Sequence, residues 1–402
     1  MKKTGINMEK VKRRNRLLIV NFIHETGPVS RKSMSETLGL TPAAVTQICT
    51  ELMDRGILIE TGTLPGEKKA GRKRVLVDID YNYRYVYGIN IFPENIILVL
   101  TNLNGEVLER AEIDPVLERS TEELIDQMAE ECRKMRKLQE VGLEKMAGIG
   151  ISICQFDAET GHSSRYGKRE WDEDLLRKKI SAMSGLPVEI GDSVRALTMA
   201  EQFYGHGRQR DNMFLVHWDK WLWSSCVTEN KIYTDHVKKP VGLEHLIIQK
   251  SGAKCYCGRR GCLETVVTFR NIRDHIQKLF NEGQTPLLSD MIDGDFTNFS
   301  FELLVSRSNE MDSVIRSYLG DIIDVFARTI INATTLLAPE SIVLSGRWFK
   351  NEQNLNNLIR ATSFYDESYD NRRLIYTRLS DREDYIGGVA LITGADLYDF
   401  LY

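Results

Sequence analysis

The chain has 402 residues, of which 42% are hydrophobic and 27% are charged. That length exceeds the needs of one compact domain, and the composition is typical of a globular protein. No apolar run approaches the roughly 18–20 residues that cross a bilayer, and the basic N-terminus lacks the apolar segment of a signal peptide. We therefore predict a cytoplasmic protein without a membrane partner, whose clustered cysteines are reduced and more often bind metal than form disulfides.

The net charge of −4 is unevenly distributed. Residues 1–80, the head, contain 15 Lys and Arg against 9 Asp and Glu, a balance of +6. Residues 81–402, the body, contain the remaining 38 against 48, a balance of −10. A basic head on an acidic body indicates that the head contacts a polyanion, although a solvated charged arm gives the same balance.

Three helices are predicted in the head. The segment NRLLIVNFIHETG carries apolar residues at helical spacing. A second, short helix is expected to begin at the N-cap Ser30 and end at Gly39. A third is expected to begin at Thr41, with Pro42 in its first position, and to stop at Gly56. Two short helices joined by a tight turn after a longer helix predict a helix-turn-helix.

The last of these helices has small or polar outward residues, as a helix that reads the major groove requires. Its Gln47 can pair with adenine, and Thr or Ala methyl groups can contact thymine. The strands ILIETG and VLVDID flank the basic loop TLPGEKKAGRKR, which is typical of a wing that contacts phosphates or the minor groove. The alternative is a three-helix interaction module that does not bind DNA. The predicted DNA-binding residues are Ser30, Arg31, Thr41, Ala43, Ala44, Thr46, Gln47, Thr50, Arg72, Lys73 and Arg74.

The body is predicted to contain two similar α/β halves. Three strands with a turn at Asn104-Gly105 precede a helix over about 120–140, the buried strand AGIGISIC, the helix WDEDLLRKKISAMSG and the strand PVEIGD. After residue 210 the order partly repeats, with the strands FLVHW, LWSSCVT and KIYT and long helices around 312–338. The strand SIVLSG, a helix, the strand LIYTRL and a C-terminal helix follow. The repeat predicts a duplicated α/β domain with a cleft between two lobes.

The run CYCGRRGCLE at residues 255–264 contains three of the seven cysteines. With one histidine they form a complete Cys₃His set for tetrahedral zinc, and four protein ligands make such a metal structural. Gly258 and Gly261 allow the backbone to fold tightly enough to return the third cysteine to the metal. A redox pair and a single disulfide are the alternatives. The predicted metal ligands are His245, Cys255, Cys257 and Cys262.

With these motifs the sequence resembles the ROK family (repressors, open reading frames and sugar kinases) over essentially the whole chain. The most specific part is a histidine followed by C-x-C-G-x-x-G-C-x-E, here His245 and residues 255–264. The head resembles that of the regulator branch, which includes xylose repressors. The resemblance implies a winged helix-turn-helix over 1–80 and an actin- and hexokinase-like, ribonuclease H-like body over 81–402. Its first lobe would span about 81–195 plus the C-terminal helix, and its second lobe about 196–383.

The sequence departs from the kinases of that family on the nucleotide side. Kinases carry an Asp-x-Gly turn in the first hairpin, where this chain has Asn90 and Phe92. They also carry a second glycine-rich turn, where this chain has DKWLWSS, residues 219–225. Two indoles and a carboxylate would fill or repel what a nucleotide occupies, so we predict no catalytic residues, no ATP binding and no kinase activity.

The sugar side is altered as well. The family's Asn-Asp pair is Gly191-Asp192 here, and Gly242 replaces a sugar-binding Glu. A lost buried acceptor costs about 1–3 kcal/mol, so a common monosaccharide is not expected as ligand. The effector-binding residues that the resemblance implies are Asp192, His245 and Glu264.

The leading hypothesis is a transcriptional regulator, a repressor of carbohydrate genes that binds a double-stranded operator and senses a sugar-like effector. Paired half-sites require paired heads, so a homodimer or homotetramer is expected. One alternative is a regulator whose degenerate body has no small effector. The other is a sugar kinase, which the missing phosphate-facing residues disfavour.

Overall fold

The computed structural model describes residues 8–63, 75–115, 119–154, 171–234, 242–255, 257–367 and 373–396. The predicted wing loop, with Arg72, Lys73 and Arg74, lies outside the described residues. Within the described part of the chain, no helix combines the length and the apolarity that crossing a bilayer requires.

The head consists of three helices and a small antiparallel sheet with strand order β1–β3–β2. The predicted helices and both predicted strands are confirmed. Strand β1 was not predicted, because two residues carry no periodicity. The elements are α1 (Met8–Thr26), β1 (Val29–Ser30), α2 (Arg31–Leu38), α3 (Pro42–Asp54), β2 (Leu58–Thr63) and β3 (Val75–Ile79).

The two short head helices begin and end at the residues that the sequence indicates. The Ser30 hydroxyl accepts a hydrogen bond from a backbone N–H of α2, and the Thr41 hydroxyl accepts one from the N–H of Ala44 at 3.2 Å. Gly39, with φ of 65°, ends α2 in the left-handed conformation that a side chain disfavours. Capping therefore fixes the length and entry angle of both helices.

The first half of the body is a five-stranded sheet with the order β6–β5–β4–β7–β8. Neighbours among β6, β5 and β4 are antiparallel, whereas β4, β7 and β8 are parallel. The final helix, α6, was not predicted. The elements are β4 (Tyr85–Ile91), β5 (Ile96–Asn102), β6 (Val107–Ile113), α4 (Thr121–Leu138), β7 (Met146–Ile153), α5 (Glu173–Ser184), β8 (Val188–Asp192) and α6 (Ser193–Tyr204).

The second half is a five-stranded sheet with the order β11–β10–β9–β12–β13 and the same sequence of strand directions. This identity of order and direction confirms the predicted duplication. The elements are β9 (Met213–Trp218), β10 (Leu222–Thr228), β11 (Lys231–Ile232), α7 (Glu264–Val267), α8 (Phe269–Asn281), α9 (Pro286–Met291), α10 (Phe301–Arg307), α11 (Ser313–Leu337), β12 (Ser341–Ser345), α12 (Arg347–Lys350), α13 (Glu352–Tyr365) and β13 (Leu374–Tyr376). The last helix, α14 (Ile386–Asp396), follows this half in the chain but packs on the first sheet.

Both faces of the first sheet are covered, which explains why β7 is buried along its whole length. One face packs against α4 and α5. The other face packs against α6 and α14, and this apolar core continues into the head through α1. The second sheet shares its principal core with α8, α11 and α13. The head is therefore joined to the body by a continuous core, which the sequence did not indicate.

Helix α14 lies against the first sheet at backbone distance. A Cβ atom on Gly150 of β7 would lie 1.9 Å from the carbonyl oxygen of Gly388 in α14. A Cβ on Gly88 of β4 would lie 2.7 Å from a methyl group of Val389. Glycine is required at these strand positions because the helix occupies the space of a side chain.

We predict that Gly150→Ala lowers the free energy of unfolding by about 1–3 kcal/mol, the usual cost of overpacking a core. The reason is that the helix backbone must move to admit the methyl group. Chemical denaturation measures the change. The matched control is Gly320→Ala in α11, where a Cβ meets nothing within 4 Å; there we expect no loss and up to about 1 kcal/mol of gain. Equal stability of the two variants would contradict the close packing.

Candidate metal centre, cleft and head surface

The cysteine run lies in the loop between β11 and α7. Two isolated antiparallel β-bridges join distant parts of this loop, one between Ile247 and Cys262 and one between Lys254 and Arg260. The N–H of Cys255 donates to the carbonyl of Arg259 at 2.7 Å, which closes a tight turn. These backbone bonds return the chain on itself and place the last cysteine beside the first two.

The four predicted metal ligands converge. Their ligand atoms all lie within 4.8 Å of one another. The Cys255 Sγ is 3.6 Å from the His245 Nδ1, and the sulfurs of Cys257 and Cys262 are also 3.6 Å apart. Tetrahedral zinc with bonds of about 2.3 Å separates its sulfur ligands by about 3.8 Å. The cluster fits zinc in donor type and spacing, whereas a disulfide needs sulfurs about 2.05 Å apart.

Burial is the largest influence on the pKa values of the four cluster residues. Burial, with Arg259 nearby, lowers the pKa of His245 to about 4, so the imidazole is neutral at pH 7 and its nitrogen can act as a ligand. Burial raises the pKa values of Cys255 and Cys262. Burial acts the same way on the more exposed Cys257, but hydrogen bonds from the Arg259 backbone and the neighbouring thiols lower its pKa overall. Two buried thiols would therefore need a cation to ionise.

The glycines of the motif are needed for backbone reasons. Gly261 has φ of 74°, and a Cβ there would lie 1.9 Å from the carbonyl oxygen of Gln249. Gly258 has φ of 89°, but a Cβ there meets nothing within 4 Å. Gly261 is thus required by both conformation and space, and Gly258 by conformation alone.

The predicted effector residues come from both halves of the body. Glu264 is buried at the start of α7, with its Oε2 3.8 Å from the His245 Nδ1. Asp192 ends β8 in the other half, and its carboxylate accepts from the N–H of Arg195 at 2.9 Å as the N-cap of α6. The structure brings His245 and Glu264 together and places Asp192 at the edge of the first sheet.

Glu244 is a further carboxylate beside His245 that was not among the predicted site residues. A Cβ on Gly242 would lie 2.3 Å from the Glu244 Oε2, so this side chain occupies the space beside the position where the family has glutamate. The Ser224 hydroxyl donates to the same oxygen at 2.5 Å. Burial raises the pKa of Glu244 to about 7. The signal was present in the run V-G-L-E-H, which moves the glutamate by two residues rather than deleting it.

On the first sheet, the amide of Asn90 is fully engaged with the segment that leads into α14. Its Nδ2 donates to the Tyr385 carbonyl at 2.8 Å, and its Oδ1 accepts from the N–H of Gly388 at 3.0 Å. The side chain is only 2% exposed. The residue that stands in place of the kinase aspartate therefore holds the start of α14.

On the second sheet, Asp219 and the indoles are occupied by their own neighbours. Asp219 accepts two hydrogen bonds from Arg347, which also pairs with Glu302. The ring of Trp223 stacks between those of His217 and Trp221, with centroids 4.9 Å and 6.0 Å away. Both indoles are half-exposed, so they line the surface of the sheet and are not part of a core.

A salt bridge of 3.3 Å joins Lys220, in the turn before β10, to Glu94 in the β4–β5 turn of the other half. The two turns that would face nucleotide phosphates in a kinase thus contact each other directly. An exposed pair is worth little on its own, but its position links the two halves across the cleft.

The head presents a polar helix face. Ala43, Thr46, Gln47 and Thr50 of α3 are exposed, Ala44 is half-buried, and the opposite side of α3 is buried. The Thr46 hydroxyl donates to the carbonyl of its own helix one turn back.

Two other predicted DNA-binding residues are engaged within the head. Ser30 is 5% exposed and its hydroxyl caps α2. Arg31 pairs with Glu60 at 3.0 Å, so it would have to exchange this partner to bind a phosphate.

The two equivalent sheets, with helices on both faces, define a two-lobed α/β protein. A match to the ROK family covers residues 86–394, and the chain therefore belongs to the ROK family.

Individual relatives agree with this assignment. The chain is similar to the xylose repressor of Caldicellulosiruptor bescii, at 23% identity over 399 residues, covering 98% of each chain. Its structure is similar to that of a ROK family transcriptional regulator described as a homologue of the E. coli MLC protein, with a TM-score of 0.74, 23% identity, and 97% and 98% of the two chains covered. A ROK hexokinase from Thermus thermophilus shares the fold, with a TM-score of 0.62 and 16% identity over 78% of this chain and 99% of that one.

We predict that Gly261→Ala disrupts the cysteine loop, whereas Gly258→Ala only weakens it. Both substitutions cost about 1 kcal/mol because both glycines have positive φ. Gly261→Ala also places a methyl group against the Gln249 carbonyl. The measurement is the rate at which a thiol reagent modifies the cluster cysteines. A faster reaction in Gly261→Ala than in Gly258→Ala is expected; the reverse order would show that the loop does not depend on this close approach.

Proposed function

We propose that this protein is a DNA-binding transcriptional regulator, a repressor of carbohydrate-metabolism genes, whose body senses a sugar-like effector. The observation that carries the proposal is the capped helix α3, which is anchored by a buried stripe and exposes small and polar residues. The names of the relatives, a xylose repressor and a ROK family transcriptional regulator, support it.

The head, residues 1–80, is the proposed winged helix-turn-helix. Helices α2 and α3 form its helix-turn-helix, and α3 is the recognition helix. Strands β2 and β3 flank the basic loop that serves as the wing. Exposed Gln47 and Thr50 would contact base edges, and Arg72, Lys73 and Arg74 would contact phosphates or the minor groove.

The body, residues 81–402, is the proposed sensor and oligomerisation domain in the cytoplasm. Its lobes would be about 81–195 with α14, and about 196–383. A homodimer or homotetramer would pair two heads on a two-fold operator. Asp192, His245 and Glu264 would bind the effector from both sides of the cleft, with Glu244 as an additional carboxylate.

A structural zinc ion is proposed at His245, Cys255, Cys257 and Cys262. The metal would supply charge to ionise the thiols and would hold the loop that leads into α7. The His245 Nδ1 lies 3.8 Å from the Glu264 Oε2. A metal that fixes this loop would therefore also fix the positions of these two proposed effector residues.

Absence of ATP binding and of kinase activity is part of the proposal. Its support is the engagement of Asn90 with the segment leading into α14 and of Asp219 with Arg347. A nucleotide would have to displace these bonds before it could bind between the two turns.

Selection of genomic fragments by the purified protein, followed by release with candidate sugars, tests the function. We expect one recurring operator sequence. Gln47→Ala should lower affinity for it by about 1–3 kcal/mol, or roughly 5- to 150-fold, while binding to unrelated DNA changes little. Gln139→Ala, an exposed glutamine near the end of α4, is the control. Failure of the protein to enrich any sequence would contradict the proposal.

The zinc proposal predicts about one metal ion per chain in reduced, untagged protein. Cys257→Ser should lose the metal and melt at a lower temperature, because three ligands bind zinc more weakly than four. Elemental analysis and calorimetry measure both quantities. Cys226→Ala, a buried cysteine on β10, should keep the metal. Metal-free wild-type protein, or a Cys257→Ser variant that keeps its zinc, would refute the assignment.

A further inference from the structure

Helix α6 contacts both halves of the body and the head. It begins without a linker at Asp192, the last residue of β8 and the N-cap of the helix. From there its 12 residues extend about 18 Å to Tyr204.

In its middle, α6 is attached to the second sheet. The Thr198 hydroxyl shares a hydrogen bond with that of Ser225 on β10. The fully buried carboxylate of Glu201 accepts from the Thr377 hydroxyl, just after β13. Two buried polar contacts with the other half make α6 responsive to movement between the lobes, because breaking either leaves an unsatisfied group inside the protein.

At its C-terminal end, α6 is attached to the head. The carbonyl of Phe203 belongs to the last turn, where helix carbonyls lack an intrahelical partner. It accepts from the Nε2–H of His24, in α1, at 2.8 Å, and the two rings lie 4.2 Å apart. His24 is only 4% exposed.

Both ring nitrogens of His24 are used. Since Nε2 donates to a carbonyl, Nδ1 accepts, and the Tyr81 hydroxyl lies 3.4 Å from it. Burial, with Arg208 adding to it, lowers the pKa of His24 to about 4, which keeps this neutral form at pH 7. A fixed tautomer with two partners defines the orientation of α1 on the body.

From α1 the connection continues to the recognition helix. Ile19 and Ile23 of α1 lie in the head core, and Arg16 pairs with Glu51 of α3 at 2.6 Å. The path therefore runs from Asp192 through α6 to His24, then along α1 to α3.

We propose that α6 is the mechanical link between the cleft and the head, and that His24 is the positioning residue that transmits its movement to α1. The role in signalling rests on the proposed function. The coupling itself does not, and it is tested without DNA or sugar.

The experiment is hydrogen exchange of the full chain, read at the amides of α1. Thr198→Val keeps the shape of the side chain but removes its bond to Ser225. We expect it to speed exchange in α1 by roughly fivefold, the effect of losing one buried hydrogen bond. His24→Ala should speed it by a similar factor. In the double variant Thr198→Val should add nothing, because the link is already broken.

Thr329→Val in α11 is the matched control. The Thr198 hydroxyl donates to the carbonyl of Val194 in its own helix at 2.6 Å. Thr329 is likewise a buried threonine whose hydroxyl donates to its own helix, at 2.9 Å to the Val325 carbonyl, but α11 belongs to the second-sheet core. In the Thr329→Val variant, the amides of α1 should exchange at the wild-type rate.

The amide of the His24→Gln variant can still donate to the Phe203 carbonyl, so most of the protection of the α1 amides should remain. This variant separates loss of the hydrogen bond from a general failure of His24 variants to fold.

Two results would overturn the inference. One is unchanged exchange in α1 of Thr198→Val while β10 around Ser225 exchanges faster. The other is full additivity of the two substitutions, which would mean that they act on α1 independently. Either result leaves operator binding untouched, so failure of this link and failure of the regulator function are distinguishable.

Discussion

The approach of α14 to the first sheet at backbone distance is the constraint on which the rest of the body depends. Gly150 and Gly388 meet without intervening side chains. Helix α14 thereby closes the core of the half that begins with β4. Helix α6 then packs beside α14, where the Tyr204 hydroxyl donates to that of Thr393 at 2.7 Å. The second half is an insertion between these closing elements, free to carry its own core.

Residues that differ from the kinase motifs of the family are held by contacts within the protein. Asn90 uses both ends of its amide to hold the residues at the start of α14. Asp219 is neutralised by Arg347, and the neighbouring indoles stack on each other. Groups that would face nucleotide phosphates in a kinase thus satisfy one another. A buried polar group must find a partner, and here the partner is protein.

Close contacts order both the cysteine loop and the junction between head and body. In the cysteine loop, four candidate ligand atoms within 4.8 Å of one another and a glycine at a close backbone approach form a local unit. In the head, a core continuous with the body replaces a flexible tether. There His24 contacts both the Phe203 carbonyl and the Tyr81 hydroxyl, which holds α1 against the body.

The sequence by itself determined the three helices of the head, the ten strands of the body, the duplication and the four candidate metal ligands. These depend on periodicity, capping residues and short spacing, all of which are local. Only the tertiary structure decided that Ser30 is buried and that the Asn90 amide bonds to the start of α14. It also decided that Glu244 fills the space beside Gly242 and that α6 contacts both the second sheet and the head. Each of these depends on a partner between 2 and about 300 residues away in the sequence, and such contacts have no signature in a single sequence.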